Sequence, residues 1–400
     1  MRTERDVFIV SYARTPIGSF GGSLSEHTAS SLGAIAIGGA LSKLGSSIKR
    51  SEIDSVAMGH VFTGGCGQAT ARQAAVGAGI PMNVPAFSVD KVCASGMKAV
   101  AIAFSAISNN SEDICIAGGM ESMSRVPFHL DSMRSGRRMG HDQVVDGLIR
   151  DGLWDVYNNE HMGSCTERVN EKMRITREAM DAYAIESNRR AKEAFAQGVF
   201  ADEVVPVTSS SKTVIMDEQI ERVKPEKLPT LKPSFRSDGR ITAGNASPIS
   251  DGAAALVLVS AKLAASRGLR PLARVVVCVD AAREPEDFTI APALTVQKAL
   301  IKANLSLKDI GVWEMNEAFA TVVLANAMIL EEVDLKNVNI LGGALSLGHP
   351  LGCSGARIIC TLITAMRFRG ARYGCATICN GGGGASAIIL ELGGSNTSTL

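Results

Sequence analysis

Three stretches of this chain hold side chains able to do nucleophilic and acid–base chemistry. They are "DKVCASGMKAV" around Cys93, "SLGHPLGCSGARI" around His349, and "CNGGGGAS", which begins at Cys379. Cys93 reads as lying at a strand-to-helix turn, where the helix dipole and unpaired N–H groups lower a thiol pKa. Ala94, Ser95 and Gly96 beside it leave room for a ligand. Pro350 biases His349 away from helix, which makes it a loop histidine, and Cys353, followed directly by Ser354 and Gly355, takes a place similar to that of Cys93. His27, His60, His129 and His141 have no comparable neighbours and read as surface or structural residues. Gly381, Gly382, Gly383 and Gly384 can present bare N–H groups to an oxyanion. Asn316 and Glu317 in "EMNEAFA" form a polar pair inside apolar sequence and need partners. An asparagine there can hold a water or a carbonyl oxygen.

Two thiols, one imidazole and a donor nest suit acyl transfer joined to carbon-acid chemistry. One thiolate takes the acyl group, and a second base removes a proton alpha to a thioester carbonyl. That is a Claisen condensation or its reverse. On residue chemistry alone, a cysteine hydrolase and a redox thiol enzyme remain open.

The chain has 400 residues, 46% hydrophobic and 20% charged, with formal net charge +1. No acidic or basic tail speaks for a nucleic-acid partner. Its nine cysteines are odd in number and widely spaced, which favours free thiols over a disulfide scaffold. Cys375 and Cys379 lack the second pair that a zinc site needs. The start, "MRTERDVFIVSYARTP", has no signal-peptide apolar region, although a presequence already removed would leave no trace in it. No clean apolar run reaches 18 residues, so no membrane span is expected.

Strands alternate with helices before residue 125 and again after 252, which predicts a mostly parallel α/β sheet. The block 125–245 is more charged. It carries a strong helix within 176–198, with Thr176 as N-cap, and a proline-rich extended run at 224–235. "VNILGGAL" reads as a strand, and the last ten residues as a loose tail. The order of motifs repeats about 260 residues apart. "KVCASGMKAVAIAFSAI" matches "HPLGCSGARIICTLITAM", and "EDICIAGGMES" matches "YGCATICNGGGGAS". This predicts two similar α/β halves packed face to face: 1–124 completed by 246–271, and 272–400, with 125–245 inserted.

"VCASGMKA", "GGMESMS", "NEAFA", "GGALSLGHPLGCSGARI" and "CNGGGGASA", in this order, resemble the thiolase family, within it the biosynthetic acetoacetyl-CoA type. The resemblance runs from about residue 6 to 392. It implies a thiolase fold of five αβαβα layers with an inserted coenzyme A-binding loop domain. It implies reversible condensation of two acetyl-CoA to acetoacetyl-CoA, with no metal or redox cofactor in the chemistry. Cys93 matches the nucleophile, His349 its activator, and Cys379 the acid/base that moves the alpha proton. Asn316 matches the asparagine whose water, with His349, forms one oxyanion hole. The N–H groups of Cys93 and Gly381 match the other.

The resemblance further assigns His161, Met162, Ser247, Ala318, Phe319 and, more loosely, Arg222 to acyl-CoA contacts. Phe288 resembles the residue of mitochondrial enzymes that also cleave 2-methylacetoacetyl-CoA, but Thr289 replaces a following proline and is expected to loosen that loop. Those enzymes are stimulated by potassium. The matching ligands are carbonyls of Ala243, Gly244 and Ala246, one near Leu345, and a side chain at a position that falls at Asn188. The basic loop 131–141 resembles a tetramerisation loop. A homotetramer in the mitochondrial matrix is the resulting expectation, with the cytoplasm second. The alternatives are a longer-chain 3-ketoacyl-CoA thiolase and a non-catalytic CoA-binding relative.

Overall fold

The computed structural model describes residues 3–210 and 212–393, so most of the expected loose tail lies outside the described residues. The first half lays down β1 (Val7–Arg14), α1 (Ala29–Ser42), β2 (Ser55–Gly59), α2 (Thr70–Gly77), β3 (Ala86–Val89), α3 (Ser95–Ser108) and β4 (Ile114–Ser122). The next block carries α4 (Met162–Met173), α5 (Arg177–Ala196) and short two-stranded ribbons. β5 (Ser250–Ser260) then returns to the first half. The second half follows as β6 (Ala273–Ala282), α6 (Ala291–Ala303), β7 (Ile310–Met315), α7 (Ala320–Ile329), α8 (Leu351–Arg369), β8 (Tyr373–Asn380) and β9 (Gly384–Leu392).

Local chemistry starts these helices. Thr28 caps α1 by accepting the Ser31 N–H, and Thr176 caps α5 by accepting the Ala179 N–H.

One hydrogen-bonded sheet runs β7-β8-β9-β6-β1-β5-β4-β2-β3. From its centre outward, β1-β5-β4-β2 and β6-β9-β8-β7 share one plan: two antiparallel pairings, then a parallel one. The duplication read from sequence is therefore present in four strands of each half, while β3 has no counterpart among the described strands of the second half. The halves meet edge to edge where Val7 pairs with Val275 and Ile9 with Ala273. They also meet face to face across α3 and α8. α1 and α2 cover the outer face of the first half, and α6 covers that of the second, which completes the five layers.

The expectation of a mostly parallel sheet is corrected to a mixed one. Only three residues link β8 to β9, too few for a crossover, so that pair is antiparallel. Gly382 and Gly383, both at φ +82°, make this turn. β5 enters antiparallel to both β1 and β4.

Two further expectations change. "VNILGGAL" is no strand: beyond an isolated Val338–Trp313 bridge, it ends in the short helix Ala344–Leu347. Asn339 replaces ladder pairing with its side chain, whose Oδ1 accepts the Met315 N–H and whose Nδ2 donates to the Met315 carbonyl. The run 224–235 holds a 3-10 turn, Pro225–Thr230. Arg177 fastens that turn by donating to the Leu228 and Leu231 carbonyls.

α8 is buried on every face from Leu351 to Met366, as a helix between two sheets must be. It is the one described helix long and apolar enough to cross a membrane, and here it forms the centre of the core. Its glycines let it touch α3 through backbone. A Cβ on Gly96 would stand 2.7 Å from the Ala356 nitrogen and 2.9 Å from the Gly352 oxygen.

Candidate active site

Because α3 and α8 touch, the turns that lead into them converge. Cys93 lies two residues before α3, after Val92 at φ +47°, a strained conformation for a β-branched residue. The turn is over-determined. Asp90 Oδ1 accepts the Val92 N–H at 2.9 Å. Ser95 Oγ accepts the Lys91 N–H at 2.8 Å and donates to the Val92 carbonyl at 2.6 Å. Lys91 Nζ reaches into the second half, to Asp280 Oδ1 at 2.6 Å and Ser386 Oγ at 2.7 Å.

His349 follows Gly348, whose φ of +125° excludes a side chain without strain. Its N–H donates to Ser250 Oγ at 3.2 Å. Its Nδ1 is 2.6 Å from Ser354 Oγ, and that hydroxyl donates to the Pro350 carbonyl at 2.8 Å. Ser354 therefore accepts from the ring. Nδ1 carries the hydrogen and Nε2 keeps a free lone pair. Nε2 lies 3.5 Å from Asn316 Nδ2, while Asn316 Oδ1 is buried without a partner. Such an orphaned acceptor suits a bound water. Burial, reinforced by the charge of Arg357, pushes the His349 pKa down to about 3. The imidazole is thus neutral at physiological pH.

Cys93 departs from the sequence expectation. Burial pushes Cys93 up to about 12, although the N–H groups of Gly381 and Cys93 itself pull it down, while Glu121 and Asp90 raise it further. Desolvation overrides the favourable turn. Cys379, fully buried near the end of β8, is held well above the usual thiol range by burial and then by neighbouring Cys93.

Cys93, His349 and Gly381 line one cavity of about 400 Å³. His161, Met162, Ser247, Ala318, Phe319 and Phe288 line it too. His161 Nδ1 accepts the Gly163 N–H and caps α4. Burial lowers its pKa. Ser247 Oγ donates to the Ala318 carbonyl at 2.9 Å. The loop beside Phe288 is tied at Thr289. Asn326 Nδ2 donates to the Thr289 carbonyl at 2.7 Å, and Phe288 is only 3% exposed.

Of the glycine run, only Gly381 faces this cavity; Gly382 and Gly383 make the turn. Arg222 does not line the cavity. It sits in a separate depression with Lys212 and Glu218, on a turn anchored by buried Ile220. Asn188 Nδ2 donates to the Ile220 carbonyl at 3.1 Å. Ala243 and Ala246 line the cavity, whereas Gly244 packs on Leu228 and Leu231.

Glu317 has the partners its burial demands. It accepts from Tyr183 Oη, Ser187 Oγ, Asn339 Nδ2 and the Leu345 N–H, at 2.7–3.0 Å. Phe235 was not anticipated. It lines the cavity, with its ring 4.6 Å from His161 and 6.2 Å from Phe319. An isolated phenylalanine at the end of an irregular run gives no periodic signal.

A cysteine turn and a histidine turn, brought together by two glycine-lined central helices of a duplicated α/β fold, define a thiolase. Residues 7–262 match the model of the thiolase N-terminal domain and residues 269–392 that of the C-terminal domain, and the chain belongs to this family. It is 51% identical over 395 residues to acetyl-CoA acetyltransferase 2 of Arabidopsis thaliana, covering 97% of each chain. It is 49% identical to the mitochondrial acetyl-CoA acetyltransferase of Rattus norvegicus, covering 97% of this chain and 92% of that protein. The crystal structure of Acat5 thiolase from Ascaris suum in complex with coenzyme A superposes with a TM-score of 0.92 at 43% identity. That match covers 97% of this chain and all of the other.

Proposed function

We propose that this chain is an acetyl-CoA C-acetyltransferase, which condenses two acetyl-CoA to acetoacetyl-CoA and runs thiolysis in reverse. The observation that carries the reading is the convergence of Cys93, His349 and the Gly381 N–H on one cavity. Cys93 Sγ attacks the acetyl carbonyl as its proton passes to His349 Nε2. Cys379 protonates the departing CoA thiolate and becomes a thiolate itself. Because burial makes its thiol so weak an acid, that thiolate is a strong base. It takes the alpha proton of a second acetyl-CoA. The resulting enolate attacks acetyl-Cys93, and the expelled Cys93 thiolate recovers its proton from His349. The N–H groups of Cys93 and Gly381 stabilise the tetrahedral oxyanion, and Asn316 with a water stabilises the enolate. Mass spectrometry after brief mixing with acetyl-CoA should find one acetyl group on the Cys93 peptide. An acetyl group on Cys379 with Cys93 free would overturn the assignment.

The same proposal divides the chain into halves 1–124 with 246–271 and 272–400, and an acyl-CoA-binding insertion at 125–245. It also extends to 2-methylacetoacetyl-CoA, because Phe288 is buried at the cavity wall in edge contact with Phe319 at 6.5 Å. Thiolysis of both C4 substrates and of longer ketoacyl-CoAs tests that range. Potassium activation is supported by the cavity-lining loop at Ala243 and Ala246. On α5, Tyr183 rather than Asn188 faces the Glu317 cluster and is the better side chain for such a site. Equal rates in sodium and potassium buffers would dismiss it. A homotetramer is supported by exposed Phe128, Met133 and Met139 around the basic loop, and sedimentation at micromolar concentration tests it. A mitochondrial location is supported by the mitochondrial relatives, and imaging the expressed protein in cells tests it against the cytoplasm.

A further inference from the structure

Glu121, at the end of β4, is fully buried and takes part in none of the steps above. Its carboxylate accepts backbone N–H groups from both halves of the chain. Val61 donates at 3.1 Å, Phe62 at 3.2 Å, and Gly352, the second residue of α8, at 2.8 Å. His60 Nε2 stands 3.3 Å from the same carboxylate. His60 is 1% exposed, and its Nδ1 is fixed at 2.9 Å by Thr70 Oγ1. Gly352 comes three residues after His349. Val61, Phe62 and Leu351 form a small apolar cluster on which Val92 and Cys93 pack. One carboxylate thus ties the floor under the nucleophile turn to the start of the helix that carries the histidine turn. It fits so closely that a Cβ on Gly352 would stand 2.8 Å from Glu121 Oε2.

We infer that Glu121 and His60 form a positioning pair, in which Glu121 joins the two catalytic turns and the His60 imidazolium compensates the charge this brings close to Cys93.

A buried carboxylate without a counter-charge would oppose thiolate formation beside it. Burial works against a charged His60, but the proximity of Cys66 and of the Glu121 carboxylate, 3.3 Å away, lifts it to about 9, which favours the imidazolium at neutral pH. Glu121 also acts through its charge on Asp251 and Cys353, and Asp90 is the other acid that raises Cys93. Neither residue touches substrate in this account, so both act through Cys93 and His349.

The inference rests on the proposed role of Cys93, and its test is kept separate from turnover. The rate of Cys93 alkylation by iodoacetamide is followed from pH 7 to 10 by quantifying the Cys93 peptide. In His60→Asn, Glu121 keeps its charge and loses its compensation. Alkylation at pH 8 should slow about fivefold or more, and its pH profile should move upward, since nucleophilicity follows the thiolate fraction. Adding Glu121→Gln to His60→Asn removes the charge and leaves a carbonyl oxygen for the Gly352 N–H, so the rate should recover. A merely structural role would give no such recovery. An unmoved profile in His60→Asn, or equal slowing in the single and double variants, overturns the inference. Should His60→Asn fail to fold, Thr70→Val loosens His60 more gently and should shift the profile the same way, and no shift there is equally decisive. Failure to acetylate Cys93 would strike the proposed function instead, and would leave this alkylation result unchanged.

Discussion

Ser354 Oγ stands 2.6 Å from His349 Nδ1 and donates its own hydrogen to the Pro350 carbonyl one turn back. A hydroxyl so committed can only accept from the ring. The imidazole is locked with its lone pair at Nε2, toward Asn316 and the cavity. Ser354→Ala frees the ring to adopt the other tautomer. The acetylation rate of Cys93 should fall about tenfold to a hundredfold, within the range of general-base contributions. Rapid-quench acetylation measures it, and a wild-type rate would remove Ser354 from the machinery.

The low pKa of His349 has a sign that can be checked. Its folded value near 3 lies below the ordinary 6.5 of histidine. The stability it contributes is therefore present above about pH 6.5 and is lost as pH falls toward 3. The slope is about 1.4 kcal/mol per pH unit in that window. Denaturant unfolding at pH 7 and pH 5 should show it, and His349→Gln should lose less stability between these two values than the wild type.

Asp90 shapes the turn before Cys93 by accepting the Val92 N–H, and its charge opposes the Cys93 thiolate. Asp90→Asn keeps an acceptor oxygen and removes the charge. Alkylation of Cys93 at pH 8 should become about two- to fivefold faster as its pKa falls by a fraction of a unit. A slower rate would mean that the turn itself had been disturbed.

Cys379 should govern the carbon–carbon step. Cys379→Ser replaces its thiol with a far weaker acid, and the alkoxide it would need is out of reach in the pocket. Acetyl-Cys93 should still form in a single turnover, while condensation should fall by about 10²–10⁴. Condensation at the wild-type rate would exclude Cys379 as the base.

Gly96 tests the contact that assembles the site. A Cβ there would press on the backbone of α8 at Gly352 and Ala356. Gly96→Ala should destabilise the protein by about 1–3 kcal/mol, as overpacking does. It should also lower activity in the folded fraction by moving Cys93 away from His349. Denaturant midpoints and activity per folded molecule measure the two effects separately.

The sequence made the duplicated plan and the convergence of Cys93, His349 and Gly381 readable, because motif order and strand–helix alternation are local properties of the chain. The direction of β5 was not readable, since a strand that returns after a long insertion carries no mark of its orientation. Nor was the acidity of Cys93. A helix-start position argues for a reactive thiolate, and only the enclosed cavity shows that desolvation exceeds that effect. Asn188 and Arg222 were placed by family position alone. The structure ties the Nδ2 of the first to the Ile220 carbonyl and sets the second in another depression. His60 read as structural because its partner, Glu121, lies sixty-one residues away in sequence, and its tie to α8 crosses both halves.

The place of β5 bears on how the chain is made. It pairs with β1 on one side and β4 on the other, and Ser260 lies opposite Val7. A ribosome adding roughly 5–20 residues per second takes on the order of ten seconds to synthesise the stretch between β4 and β5. Throughout that interval the nascent first half holds two apolar strands with the gap between them unfilled, each offering an unpaired edge to any neighbouring chain. The long stretch between β4 and β5 therefore also sets a waiting time before the first half can close, during which a chaperone has the most to protect.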